Sequence, residues 1–266
     1  MEVWNRSDAD STPIDEVTLP DALEKIDPSH LAEFLKNSIP SSVEAINAKL
    51  VIYFGRALSG VSSVEYQYPW PNMNILMDLI DLPFRHIPEP VFKTAAAWIN
   101  KAEAQTLVDF ISLSFECASR FAGEPEPDDP KSQLGLLAAL SMIFRSRPRT
   151  LSPILPFLRP PQYHLEETPE LIPFTVWMMA QVAQVDLCLG LYSWASILLP
   201  LVRDKFLCNP RSTDLIMQLI ENVLSNPNAR AILLTNAVRE NERLFPIPSF
   251  EILLPLTFPA SFERGN

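Results

Sequence analysis

Residues 169–244 read PELIPFTVWMMAQVAQ (169–184), DLCLGLYSWASILLPLV (186–202), NPRSTDLIMQLIENVLS (209–225) and NPNARAILLTNAVRENERL (226–244), followed by a last apolar run, PSFEILLPLT, at 248–257. Each run is helix-sized, most open on or beside a proline, and the breaks between them are very short. Proline is tolerated in a helix first turn, where its missing N–H has no partner to lose. Punctuation of this kind predicts stacked helices rather than sheets.

The same grammar extends towards the amino end. Leu134, Leu137, Ala138, Ser141 and Met142 line one side of a helix over Ser132–Arg145, and Leu107, Phe110, Ile111, Ser114 and Phe115 do so within Glu103–Ala122. Val91–Asn100 forms with the latter a helical hairpin or one kinked helix. Pro148–Leu158 reads as a short helix distorted by Pro153 and Pro156. Further forward, Pro28–Asn37 carries Leu31, Phe34 and Leu35 on one face, and Ser41 or Ser42 caps a helix that ends near Gly60. Helix pairs therefore begin near Pro88, Pro130, Pro169 and Asn209. That spacing of about 40 residues is the period of HEAT or armadillo pairs. The expected fold is all-α: stacked helical pairs in a HEAT/armadillo-like solenoid, or an irregular helical bundle. The expected organisation is an acidic, disordered leader (1–18), an amino-terminal helical part (19–122), an acidic, proline-rich linker GEPEPDDP (123–130), carboxyl-terminal helical pairs (131–258) and a tail (259–266).

Composition narrows the function. Only 6 glycines among 266 residues weigh against Gly-rich phosphate loops and β-barrels, while 26 prolines suit helix starts. A formal net charge of −11 argues against nucleic acid as a ligand, which needs a basic footprint. Cys117, Cys188 and Cys208 are odd in number and lack CxxC spacing, which reads as reduced, mostly buried thiols. His30, His86 and His164 lie far apart, with no HExxH or Cys/His ligand spacing, and no GxSxG, GxGxxG or Walker loop occurs. The expectation is no enzyme, no catalytic residue, no cofactor and no metal. Asp78 and Asp81, an acid pair at i, i+3, read as solvated.

The concentrated basic feature is Arg145, Arg147 and Arg149 (RSRPR), repeated more weakly as Arg203, Lys205 and Arg211, and as Arg230, Arg239 and Arg243. These lie near helix ends, where cations also simply suit the macrodipole. If the pairs stack in parallel, such ends form a basic ridge. Arg145, Arg147 and Arg149 are therefore the partner-binding candidates. Leu187–Val202 is apolar but shorter than the roughly 20 residues of a membrane span. Lengthening it brings in Asp186 on one side and Arg203, Asp204 and Lys205 on the other. It reads as the most buried helices of a stack, with membrane insertion through residues 172–202 as the alternative.

The stretches PFTVWMMAQVAQVDLCLGLYSWASILLPLV, CNPRSTDLIMQLIENVLSNPNARAILLTNAVRENERL and PSFEILLPLTFPAS, with the earlier VIYFGRALSG, LPFRHIPEPVFKTAAAWIN and LGLLAALSMIFRSRP, resemble in sequence and order the plant branch of the transmembrane protein 214 family. The likeness covers roughly Val51 to Ser261. It implies a protein associated with the cytosolic face of the endoplasmic reticulum, with a large helical region and no enzymatic activity. Animal members are linked to stress-induced cell death (apoptosis) as anchors for a procaspase, so a protein partner is implied. In the family the membrane-spanning segments lie nearer the carboxyl end than anything here, so the resemblance implies a chain truncated before its anchor, and a cytosolic one if that short form is real. It also differs in its acidic 123–130 segment, where relatives carry a longer Gly/Lys-rich insert. The expectation is a scaffold that recruits a protein partner.

Overall fold

The first three helices each begin on a side chain that accepts an otherwise orphaned N–H. In the computed structural model, which describes residues 17–61, 80–123, 130–158, 165, 168–203, 210–236, 238–239 and 242–257, Thr18 caps α1 (Leu19–Glu24) through the Asp21 N–H at 3.3 Å. Asp27 caps α2 (Pro28–Leu35) through the Ser29 N–H at 2.8 Å. Ser42, rather than Ser41, caps α3 through the Ala45 N–H at 3.2 Å. α3 is one run made of Val43–Ile46, a π-turn at Asn47–Val51 and Ile52–Ala57. The chain reverses after α2 on Asn37, at φ 59°, a left-handed position that asparagine tolerates. The indole Nε1 of Trp98 then donates to the Ser38 carbonyl at 3.0 Å.

Four helix pairs follow, beginning about 40 residues apart, as the proline spacing predicts. The first, α4 (Glu89–Ile99) and α5 (Ala104–Gly123), is a pair in chain order more than in packing: the two helices barely touch each other and meet through α6, on which both lie, so the expected hairpin is open. The second is α6 (Pro130–Ser146) with two 3-10 turns, Pro148–Leu151 and Leu155–Leu158, in place of a regular second helix. Pro153 and Pro156 account for that, since neither can donate an intrahelical bond. The third is α7 (Ile172–Ala183) with α8, an unbroken run of Leu187–Ser193, a π-turn at Trp194–Leu198 and Leu199–Arg203. The fourth is α9 (Pro210–Ser225) with α10 (Ala229–Thr235). Helix does not continue to residue 244. Asn236 turns its side-chain amide back onto the Ile232 carbonyl at 2.7 Å and ends α10. A two-residue antiparallel ribbon follows, β1 (Val238–Arg239) with β2 (Glu242–Arg243), and then α11 (Ile247–Thr257).

Successive pairs lie on one another: α4 and α5 on α6, α6 on α7, α7 on α9, and α8 on α9 and α10. The front helices depart from a strict neighbour-to-neighbour stack. α2 packs on α4, the start of α3 on α5, and the rest of α3 along α6. α6 is thus central, and every residue from Gln133 to Phe144 is buried. Its approach to α3 is backbone-close: a Cβ at Gly135 would collide with the Val51 carbonyl of the π-turn and stand 2.8 Å from the Gly55 nitrogen. Buried apolar residues from Leu19 to Leu244 form one continuous cluster, so residues 19–122 and 131–258 share a core.

The most apolar stretch is inside that core. All of Phe174–Ala183 is buried, and α7 folds back on α8 so tightly that a Cβ at Gly190 would stand 2.5 Å from that of Ala183. Asp186, at the bend, caps α8 through the Leu189 N–H at 3.0 Å. No helix among the described residues is long and apolar enough to cross a membrane. Of the expected leader only Val17 and Thr18 are described, and of the 123–130 linker only Gly123 and Pro130; the 259–266 tail lies outside the described residues.

Candidate functional site

Two places in the fold bear on function: the end of α6, where RSRPR sits, and the outer side of α11. Arg145 is in the last turn of α6, but its side chain turns inward and is 10% exposed. One terminal guanidinium nitrogen lies 2.8 Å from Asp81 Oδ1, Nε donates to Gln181 Oε1 at 3.1 Å, and the cation stacks on the Phe84 ring at 4.7 Å. Gln181 in α7 donates in turn to the Ile80 carbonyl, and Trp177 Nε1 donates to the Leu82 carbonyl at 3.1 Å. Three side chains from two helices therefore clasp the segment Ile80–Leu82. Burial pulls the Arg145 guanidinium below its ordinary pKa, and the hydrogen bond and charge of Asp81 oppose that shift. Arginine remains charged regardless, so the pair is an ionic tie within the fold.

The structure thus does not present the three arginines as one ridge. Arg145 is committed to the interior. Arg147 is half-buried and reaches the Ala102 carbonyl at 3.4 Å, while Arg149, in the following 3-10 turn, is exposed. Arg203, Arg211, Arg230 and Arg243 are exposed; Lys205 lies outside the described residues. Asp81 is Arg145's partner rather than half of a solvated pair, and Asp78 lies outside the described residues.

The histidines do not converge. His30 sits on the surface with Nδ1 3.0 Å from the Tyr53 hydroxyl. His86 Nε2 accepts from Arg85 Nε at 2.9 Å; partial burial, and then the Arg85 charge, hold its pKa below the ordinary value. His164 lies outside the described residues. Cys188 is buried and Cys117 half-buried; Cys208 is outside the described residues. No group of three or more His, Cys, Asp or Glu among the described residues is placed to hold a metal ion.

The second place was missed by a search for charged and nucleophilic motifs. α11 packs on the last turn of α8, with Ile252 and Leu253 half-buried against the core and the Ser249 hydroxyl donating to the Ala195 carbonyl of the preceding π-turn at 2.8 Å. Its opposite side presents Ile247 at 54%, Phe250 at 50% and Leu254 at 55% exposure, with exposed Glu251 between them. The spacing i, i+3, i+4, i+7 makes this one stripe. The signal was legible in IPSFEILLPLT, a helix with a single charge and hence apolar on both sides. A helix apolar all round belongs under cover, not at an edge. No family model, no curated protein and no solved structure matches the chain.

Proposed function

We propose that this chain is a non-enzymatic helical scaffold that holds a protein partner against the outer face of α11. The observation that carries the reading is the half-exposed stripe Ile247, Phe250 and Leu254 on a helix whose other side is already seated on α8. Water disfavours such surface, and a partner relieves it. A stack of helix pairs suits this work, because each layer buries one face of its neighbour, and α11 has a face to spare. The likeness of residues 51–261 to the plant branch of the transmembrane protein 214 family extends the proposal to the cytosolic face of the endoplasmic reticulum and to stress-induced cell-death signalling. Arg147 and Arg149 remain candidates for secondary contacts; Arg145 has its guanidinium engaged by Asp81.

The test is affinity capture after in-cell cross-linking, with wild type beside Ile247→Asp/Leu254→Asp. Partners that fall by about tenfold or more in the variant, with helical content unchanged, support the face as the seat. Equal recovery of every partner contradicts it. Fractionation addresses the location: sedimentation with endoplasmic-reticulum membranes supports that part of the proposal, and a wholly supernatant protein removes it.

A further inference from the structure

Resting on that reading of α11's outer face, we infer what kind of partner element covers it: an amphipathic helix carrying one lysine or arginine within its apolar stripe, seated so that the cation meets Glu251. The chemistry of the stripe is the argument. Ile247, Phe250 and Leu254 supply apolar contacts one turn apart, and Glu251 stands among them, exposed. Pro255, four residues on, has no N–H to give to the Glu251 carbonyl. The Glu251 carboxylate stands exposed within the stripe, and it and the carbonyl without an i+4 donor are both acceptors only. An apolar cover would strand them, and a cation with several N–H donors satisfies them. A helix is the matching shape, because α11 itself is a helix of about 16 Å at 1.5 Å per residue, and helices cover α6 and α7 elsewhere in the fold.

A second copy of the chain fits less well on two counts. Antiparallel pairing of two α11 helices about the centre of the stripe brings Glu251 against Glu251, a like-charge contact. Two three-turn faces also bury far less than the roughly 1,200 Å² of a stable specific interface. Those points favour a short helical segment of another protein, bound with modest affinity and with a preference set by charge.

The test uses the full chain and two synthetic amphipathic helical peptides, identical except for one stripe position that is Lys in one and Glu in the other, followed by fluorescence anisotropy. The expected result is that wild type binds the Lys peptide roughly two- to fivefold more tightly, the range of an exposed ion pair. Glu251→Lys should reverse the order, added salt should narrow it, and Phe250→Asp should remove both complexes. Because Phe250 packs edge-on against Phe245 at 4.5 Å, Ile247→Asp serves as a second face variant that leaves that pair intact. Equal affinity for the two peptides in wild type and in Glu251→Lys, with binding lost in both face variants, overturns the charge inference and leaves the face reading standing. Binding that ignores the face variants, or no binding at all, overturns both. Binding that emerges only when residues 258–266 are removed makes the chain's own tail the occupant, and a dimer abolished by Ile247→Asp makes it a second copy; either overturns the inference.

Discussion

Arg145 shows how one side chain is claimed by the fold. Its side chain is 10% exposed and that of Asp81 is 42% exposed, so breaking the pair leaves the arginine as a poorly solvated cation. Arg145→Glu, which sets a second carboxylate beside Asp81, is expected to cost about 2–3 kcal/mol in urea unfolding. Arg230→Glu, at an exposed arginine of α10, should stay within about 0.5 kcal/mol. Equal effects would contradict the assignment. His86 makes a prediction with a definite sign. Its folded pKa lies below the ordinary 6.5, so between those two values the unfolded chain binds more protons and stability rises with pH. Stability should therefore fall as pH drops through 6.5 and level off below the folded value, where the Arg85 Nε bond to His86 Nε2 is also lost. His86→Gln should flatten this slope below pH 6.5; parallel curves for variant and wild type would refute it. At this scale the sequence was least legible. RSRPR looks the same on paper whether its first arginine faces water or Asp81, which lies 64 positions away.

At the scale of the element, proline explains the π-turn of α8. Pro200 has no N–H, and the Leu199 N–H is drawn to the Trp194 carbonyl, so neither helical donor reaches the Ala195 carbonyl. Ser249 of α11 fills the gap, its buried hydroxyl donating to that carbonyl at 2.8 Å. Ser249→Ala is expected to cost about 1–2 kcal/mol, because it strands a buried acceptor. The cost should shrink in a Pro200→Ala background, where residue 200 regains an N–H and the helix can satisfy itself. A double-mutant cycle in urea measures the coupling, and strict additivity would rule this account out. Element existence was widely legible: prolines and apolar spacing mark α2, α4, α5, α6, α9 and α11 nearly to their ends. The misreadings have local causes. Pro153 and Pro156 break the second helix of the α6 pair into 3-10 turns, and Asn236 stops α10 short of a ribbon that no periodicity announces.

For the whole molecule, the central claim is that the most apolar segments are covered by one another. The all-α stack was readable because its period, about 40 residues, is written in prolines. The packing of α3 along α6 was not, because contacts between distant segments leave no periodic trace; Gly135 and the Gly55 it faces mark it in the sequence, and only the collision of the absent Gly135 Cβ with α3 reveals it. Hydrogen exchange of the full chain in detergent-free buffer tests the claim most directly. If α6, α7 and α8 are the interior, their amides exchange slowest and at the rate of global unfolding, while α11 exchanges faster, with no change on adding lipid vesicles. Rapid exchange across residues 172–203 in buffer, slowed only once vesicles are present, would contradict it.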